Sequence, residues 1–133
     1  MGTRSLTKII STHDDKPITC MYRQYDGYLE GHGVELAEWL EKFTIVSGIK
    51  LDETRKIANG MECLAAQMFE NFKDEAGGIY CYHPDASDCG EEYLYEISEK
   101  NGDIIMTVIN TWEDEVVFKG STKELLTKIK ENA

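Results

Sequence analysis

The chain has few of the features that mark membrane or fibrous proteins. It contains only 2 prolines in 133 residues, and no apolar run approaches the roughly 20 residues of a bilayer-spanning helix. The N-terminus, MGTRSLTKII, lacks the apolar core of a signal peptide, and Leu6 stands where a myristoylation signal has Ser or Thr. We therefore expect a cytoplasmic protein that makes no contact with membranes.

Positive charge is scarce as well. The 14 basic residues are outnumbered by 25 acidic ones, so the formal net charge is −11. Such a charge repels nucleic-acid backbones and anionic lipid surfaces over long range, which argues against DNA or RNA as a partner. A small phosphate ligand stays compatible with it, since one or two arginines in a local pocket can oppose the overall field.

The chain also lacks a clear disulfide framework or zinc motif. Without a secretory signal, its four cysteines are best interpreted as reduced thiols. The segment CYHPDASDC supplies Cys81, His83 and Cys89, but these are only three ligands without a paired second half. We therefore expect these residues to pack, with no metal and no cofactor.

The residues that are present suit one globular domain, 1–133, because hydrophobic residues make up 41% of the chain. The first two strands are predicted at SLTKIIS and ITCMYRQY, as a hairpin around the polar THDDKP. Apolar spacing then predicts a first helix and, after SGIKLD, a longer second helix with Asp52 as its N-cap. The helical positions are Leu36, Ala37, Leu40 and Phe43, followed by Ile57, Met61, Leu64, Ala65, Met68 and Phe72.

The second half of the chain changes to strand patterns. Asn101-Gly102 predicts a type I′ hairpin turn, and Ser121 with Glu124 predicts a capping box that opens a C-terminal helix. The order of elements predicts an α+β fold: an antiparallel sheet of about six strands, two helices inserted after the first hairpin, and a short C-terminal helix. The four later strands are predicted at IYCYH, EYLYEISE, DIIMTVINTW and EVVFKG.

The connection from the second strand to the first helix, MYRQYDGYLEGHGVELAEWL, concentrates functional residue types. Arg23, Gln24 and His32 stand there among aromatic rings and glycines. Together a guanidinium, an amide, an imidazole and rings offer a nucleotide a phosphate fork, base-edge hydrogen bonds and a stacking plane. The alternative is an irregular turn in which Arg23 forms a surface salt bridge of little energetic consequence.

Strand alternation makes a prediction about Arg23. It separates Ile18, Cys20 and Tyr22 from the set that contains Met21 and Arg23. If the first set faces the helices, Arg23 lies on the open face of the sheet, beside Tyr25.

The same segment also contains groups that could take part in catalysis. Asp26 and Glu30 are near His32 in sequence and could orient it, and Cys20 or Cys81 could serve as a nucleophile. No recognisable nucleophile motif accompanies them, so we expect no catalytic residues and no enzyme activity.

The N-terminal third carries a resemblance. MGTRSLTKII followed by YRQYDGYLEGHG resembles a group of small phage and prophage proteins that open with Gly-Thr-Arg and carry Tyr-Arg-Gln-x-Asp-Gly-Tyr-x-x-Gly-His-Gly before a helix. Within that group the chain most resembles the first Thoeris anti-defence family. Members of that family are sponges that capture the cyclic ADP-ribose isomers made by TIR-domain enzymes. One departure from the motif is Leu29, where relatives commonly carry proline.

The resemblance implies an anti-defence function in the host cytoplasm: sequestration of a cyclic nucleotide without cleavage, so that the Thoeris effector is not activated. Relatives form homodimers that can assemble into hexamers, and some also capture cyclic oligonucleotides. Carried onto this sequence, the motif gives a set of ligand-binding residues, with the last two added by analogy as base-stacking candidates: Arg4, Arg23, Gln24, Tyr28, His32, Tyr80 and Tyr82.

Two functions of other classes stay open. The acidic surface could act as a decoy that binds a host protein through charge, in the way that a nucleic-acid mimic does. An enzyme that degrades the nucleotide signal would instead depend on His32.

Overall fold

The computed structural model describes residues 2–46 and 57–131. It has the predicted α+β fold, with a six-stranded, mostly antiparallel sheet and a short C-terminal helix. The strands are β1 (Ser5–Ile10), β2 (Pro17–Arg23), β3 (Thr44–Val46), β4 (Ile57–Asn59), β5 (Ile79–Tyr82), β6 (Tyr93–Lys100), β7 (Asp103–Asn110) and β8 (Glu115–Ser121). The helical segments are a π-helical turn (Leu29–Gly33), α1 (Val34–Leu40), α2 (Gly60–Phe72) and α3 (Thr122–Glu131).

The main sheet has the strand order β5-β2-β1-β6-β7-β8. Its pairs are antiparallel except for β1 with β6, which run parallel. The parallel pair arises because the chain leaves the first hairpin, crosses through the helices and β5, and returns on the other side of β1. A second, two-stranded sheet of β3 and β4 was not predicted, since strands of three residues are too short to show a period.

Two local predictions are confirmed by backbone geometry. Asn101 and Gly102 have φ of 55° and 87°, as a type I′ turn requires. At the start of α3 the Ser121 amide donates to Glu124 Oε1 at 3.0 Å, and the Glu124 amide donates to Ser121 Oγ at 3.1 Å. This reciprocal pair is the predicted capping box.

The predicted start of the second helix is wrong. Ile57 lies in β4, where it pairs with Thr44, and α2 begins at Gly60. Gly60 has a φ of 82°, so the backbone breaks between strand and helix at the residue type that allows it. The apolar Ile57 fitted the helical spacing by coincidence. The predicted N-cap, Asp52, lies outside the described residues.

The orientation of β2 that would place Arg23 on the open face is not the one observed. Met21 belongs to the main core between the sheet and the helices, whereas Cys20 and Tyr22 pack with Leu6 on the opposite face. A loop at residues 83–92 covers that opposite face with Ala86, so both faces of β2 are buried and alternation alone did not show which one meets the helices. Arg23 shares the face of Met21 and therefore lies on the helix side.

Among residues 2–46 and 57–131, no helix combines the length and apolarity needed to cross a membrane.

Candidate functional site

The segment after β2 is pinned to the sheet by backbone contacts. Asp26 has a φ of 59°, and its carbonyl accepts a hydrogen bond from the His32 amide at 2.8 Å. A Cβ at Gly27 would stand 2.7 Å from the Cβ of Ser5, so only glycine allows this approach to β1. The Gly27 carbonyl accepts from the Tyr95 hydroxyl at 2.8 Å. These contacts hold the π-helical turn in place and direct His32 into the core.

His32 is completely buried, with 0% of its surface exposed. Its Nε2 lies 2.8 Å from Thr7 Oγ1 on β1, and its Nδ1 lies 3.0 Å from Arg23 Nη1 on β2. The rings of Tyr95 and Phe72 contact the imidazole edge to face, with centroid distances of 4.9 and 5.4 Å. The imidazole thus has a polar partner at each nitrogen and aromatic rings against its sides.

The hydrogen-bond partners fix the tautomer of His32. Arginine has only donors, so Nδ1 must accept from Arg23 and carries no proton. The proton of the neutral ring is therefore on Nε2, which donates to Thr7 Oγ1. Burial, and then the positive charge of Arg23, lowers the pKa of His32 to about 3, so the ring is neutral near pH 7.

The groups that orient His32 differ from those suggested by the sequence. Asp26 contributes only its backbone carbonyl, to the His32 amide, and the ring nitrogens are engaged by Thr7 and Arg23. Among residues 2–46 and 57–131, the ring partners of His32 are thus a hydroxyl and a guanidinium rather than the carboxylate that a catalytic histidine commonly has, and neither nitrogen is directed to solvent.

Arg23 continues the hydrogen-bonded chain from the core to the surface. Its Nη1 donates to Glu35 Oε2 on α1 at 2.7 Å, and its Nε donates to the Tyr25 carbonyl at 2.7 Å. The Arg23 side chain is 15% exposed and that of Glu35 is 50% exposed. The guanidinium is therefore fixed in one orientation at the edge of the solvent.

An open groove of about 570 Å³ lies beside this guanidinium, between β2 and the first two helices. Its chemistry is mixed, with two cations facing three carboxylates and several aromatic rings. The charged lining residues are Arg23, Lys42, Glu35, Glu38 and Asp74, and the aromatic ones are Tyr25, Trp39 and Phe72. Phe72 contacts both the His32 ring and the Trp39 ring, which links the buried imidazole to the wall of the groove.

The predicted stacking residues lie on the other face of the sheet. Tyr82 stacks on Tyr22 with ring centroids 4.8 Å apart, and Tyr80 meets the same ring edge to face at 5.8 Å. Tyr80 is 44% exposed, and the ammonium of Lys73 lies 5.5 Å from its ring centroid. These rings therefore form a small aromatic cluster on the face of the sheet opposite to Arg23.

The remaining predicted residues are distributed around the first strands. A Cβ at Gly90 would collide with the Arg4 guanidinium, which places Arg4 against the 83–92 loop. The backbone amide of Gln24 donates to Gly78 at 2.9 Å, and Tyr28 is 40% exposed where the π-helical turn begins. Of the seven predicted residues, the structure joins Arg23 to His32, and Tyr80 to Tyr82 through Tyr22.

Sequence reasoning missed Thr7, Glu35 and Trp39. Glu35 and Trp39 are four residues apart on α1, a spacing that puts both on one helix face and that the sequence does show. Thr7 stands in a strand that is otherwise rich in apolar residues, and a buried hydroxyl there predicts a polar partner without identifying it.

The four cysteines are free thiols. Burial raises the pKa of the Cys20 thiol to about 11, although the charge of Lys8 opposes the shift. His83 is exposed and lies near Asp85 rather than bridging the cysteines. In the part of the chain that the structure describes, no three His, Cys, Asp or Glu side chains are grouped to hold a metal ion.

Comparison of the chain with protein-family models, with curated proteins and with solved structures gives no match.

Proposed function

We propose that this is a phage-type anti-defence protein that captures a cyclic nucleotide immune signal and holds it intact, so that the Thoeris effector is not activated. The ligand is a cyclic ADP-ribose isomer, with cyclic oligonucleotides as further candidates. The observation that carries the proposal is the position of Arg23, a residue of the resembling motif, at the wall of the groove with a fixed guanidinium. A fixed donor loses little conformational entropy when a ligand binds.

The size and chemistry of the groove support a nucleotide. A volume of about 570 Å³ is within the range of small-molecule sites. Arg23 and Lys42 supply positive charge for phosphate, and Trp39 supplies a ring on which a base can stack. Glu38 and Asp74 can accept hydrogen bonds from ribose hydroxyls. In this arrangement the base stacks on Trp39. Tyr80 and Tyr82, to which the resemblance assigned stacking by analogy, lie on the face of the sheet opposite to the groove.

The states of His32 and Cys20, two of the candidate catalytic groups, support capture rather than cleavage. His32 is buried, has both nitrogens engaged and has a pKa of about 3, so it is a poor proton acceptor near neutral pH. Cys20 is fully buried and its raised pKa keeps the thiol protonated. A protein that sequesters a signal needs affinity and stoichiometry, to which His32 can contribute by anchoring Arg23 without exchanging a proton.

The proposal includes the host cytoplasm as its location and a homodimer or larger assembly, up to a hexamer, as its working form. Both follow from the resemblance to the sponge family. Light scattering on the purified protein, with and without ligand, measures the assembly directly.

A second candidate is the acidic decoy. Trp112 is 70% exposed at the turn between β7 and β8, where Glu113, Asp114 and Glu115 follow it. An exposed tryptophan beside carboxylates suits a basic protein partner. The decoy predicts a stable complex with one host protein that weakens with salt and with Trp112→Ala.

Capture and release of the ligand tests the proposed function. The purified protein is mixed with the product of a TIR-domain enzyme, freed of unbound ligand by filtration and heated, and the released molecule is assayed. Recovery of intact signal supports the sponge. A chemically changed product would indicate the degrading enzyme, and the absence of capture would favour the decoy.

Arg23→Ala is the matched variant for that experiment. We expect it to weaken capture about tenfold or more, since it removes the charge-assisted phosphate contact. We expect this variant to stay folded but to be less stable than the wild type, because it leaves Nδ1 of the buried His32 without a donor; far-ultraviolet circular dichroism checks that it is folded under the conditions of the capture experiment. Unchanged capture by this variant would remove Arg23 from the site.

A further inference from the structure

All three nitrogens of the Arg23 guanidinium have partners within the protein. Nε donates to the Tyr25 carbonyl, and Nη1 donates both to His32 Nδ1 and to Glu35 Oε2. Nη2 reaches the other oxygen of Glu35, Oε1, at 3.5 Å. Glu35 therefore uses both of its oxygens on the outer edge of the guanidinium.

That outer edge is the one that a phosphate would need. Arginine binds phosphate through two parallel N–H groups, and it binds carboxylate in the same geometry. The Nε side of Arg23 is committed to the Tyr25 carbonyl, and the inner hydrogen of Nη1 is committed to the buried His32. A bidentate anionic ligand in the groove can therefore reach Arg23 only by taking the place of Glu35.

We infer that Glu35 is an internal competitor for the anion site, and that it sets a threshold of affinity which ligands that carry phosphate or pyrophosphate exceed and those that carry a single carboxylate do not. This inference rests on the proposed function, which it extends to the ligand class that the groove admits. A carboxylate ligand would only exchange one carboxylate for another on Arg23. A pyrophosphate brings more negative charge and more acceptor oxygens. Its displacement of Glu35 from Arg23 therefore lowers the free energy, whereas displacement by a single carboxylate does not.

The geometry makes the exchange feasible. Glu35 is half exposed on α1, so its side chain can rotate into solvent while Arg23 stays anchored by His32 and the Tyr25 carbonyl. Half-exposed ion pairs are weak, so a doubly charged ligand can displace the carboxylate.

The chain offers a matched control for Glu35. Glu38 lines the same groove from the same helix, three residues later, and is also exposed. Glu35→Gln and Glu38→Gln change the charge of the groove equally, whereas only the first removes the carboxylate bonded to Arg23. A difference between the two variants therefore separates competition at the guanidinium from general electrostatics.

The probe is inorganic pyrophosphate, titrated by calorimetry into the wild-type protein, Glu35→Gln, Glu38→Gln and Arg23→Ala. We expect Glu35→Gln to bind pyrophosphate about fivefold more tightly than the wild type. Glu38→Gln should bind within about twofold of the wild type, since it keeps the competitor. Arg23→Ala should lose the binding. Acetate should bind the wild type more weakly than pyrophosphate does, and it should also bind Glu35→Gln more tightly than the wild type, because the competing carboxylate is absent there.

The inference is overturned if Glu35→Gln binds pyrophosphate no more tightly than the wild type, if Glu38→Gln gains as much, or if no form binds pyrophosphate. The capture experiment with the TIR product separates this failure from failure of the proposed function. If the wild type captures the intact signal but Glu35→Gln binds pyrophosphate no more tightly, the proposed function is supported and the inference about Glu35 is wrong. If Glu35→Gln binds pyrophosphate more tightly but no form captures a cyclic nucleotide, the inference about Glu35 is supported and the proposed function is wrong.

Discussion

The two faces of the sheet at β1 and β2 hold polar and aromatic residues in contrasting ways. On the helix face, Thr7, His32 and Arg23 form one hydrogen-bonded chain from the core to the groove. On the opposite face, the rings of Tyr80 and Tyr82 pack on Tyr22 and remain partly in solvent. Buried hydrogen bonds fix the orientation and the protonation state of the side chains that form them, whereas contacts between aromatic rings tolerate small displacements of the rings. The helix face is therefore the one built to hold a charged group in a single position.

The strongest test of this contrast is His32→Ala. We expect it to lower the free energy of unfolding by about 3 kcal/mol, because it opens a cavity and leaves Thr7 and Arg23 without their buried partner. Tyr82→Ala on the opposite face should cost about 1 kcal/mol, since it loses one partly exposed stacking contact. Urea denaturation of both variants measures the difference. Equal losses would show that the two faces contribute alike.

Acid should weaken the helix face through the same residue. His32 has a pKa of about 3 in the folded protein against 6.5 for an unperturbed histidine, so between those values the unfolded chain binds a proton that the folded chain does not. The contribution of His32 to the free energy of unfolding is fully present above pH 6.5 and is lost as the pH falls towards 3. Between pH 7.5 and pH 5 this loss should be about 2 kcal/mol.

The control for the acid effect is His32→Gln, which replaces the imidazole by a carboxamide that can form hydrogen bonds but does not titrate. Chemical denaturation at several pH values should show a steeper decline for the wild type than for this variant. Parallel curves for the two proteins would rule out His32 as the titrating group.

Thr7→Val tests the inner end of the hydrogen-bonded chain. Valine has nearly the shape of threonine but leaves the Nε2 proton of His32 without an acceptor, which should cost about 1–2 kcal/mol. Thr7→Ser keeps the hydroxyl and should retain more of the stability. Nitrogen chemical shifts of the imidazole report the tautomer, and we expect the Nε2-protonated form in both the wild type and Thr7→Ser. A wild-type spectrum with the proton on Nδ1 would contradict the assignment.

The smallest effect is expected from Tyr80→Ala. Tyr80 is 44% exposed, so its removal should change the free energy of unfolding by about 0.5 kcal/mol. If the ligand binds in the groove on the helix face, pyrophosphate affinity should stay within about twofold of the wild type. A loss comparable to that of Arg23→Ala would return Tyr80 to the ligand site and weaken the distinction between the faces.

The sequence was informative where the structural cause is local. Asn101 and Gly102 accept positive φ, and Ser121 and Glu124 reach each other's amides across one helical turn, so the turn and the cap could be predicted from neighbouring residues. The aromatic and β-branched residues of β6 and β7 likewise predicted strands at these positions. The site was only partly accessible, because the motif identified Arg23 and His32 but not the residues that orient them.

Sequence alone determined the α+β class and the order of its main elements, and it predicted Arg23 and His32 among seven candidate ligand-binding residues. Tertiary structure decided which face of β2 meets the helices, since residues 83–92 bury the other face and remove the polarity that alternation relies on. It also decided that Thr7 and Glu35 are the partners at the two ends of the chain, because both contacts join residues distant in sequence. Hydrogen bonds depend on positions in space, and only the packing of β1, β2 and α1 brings those positions together.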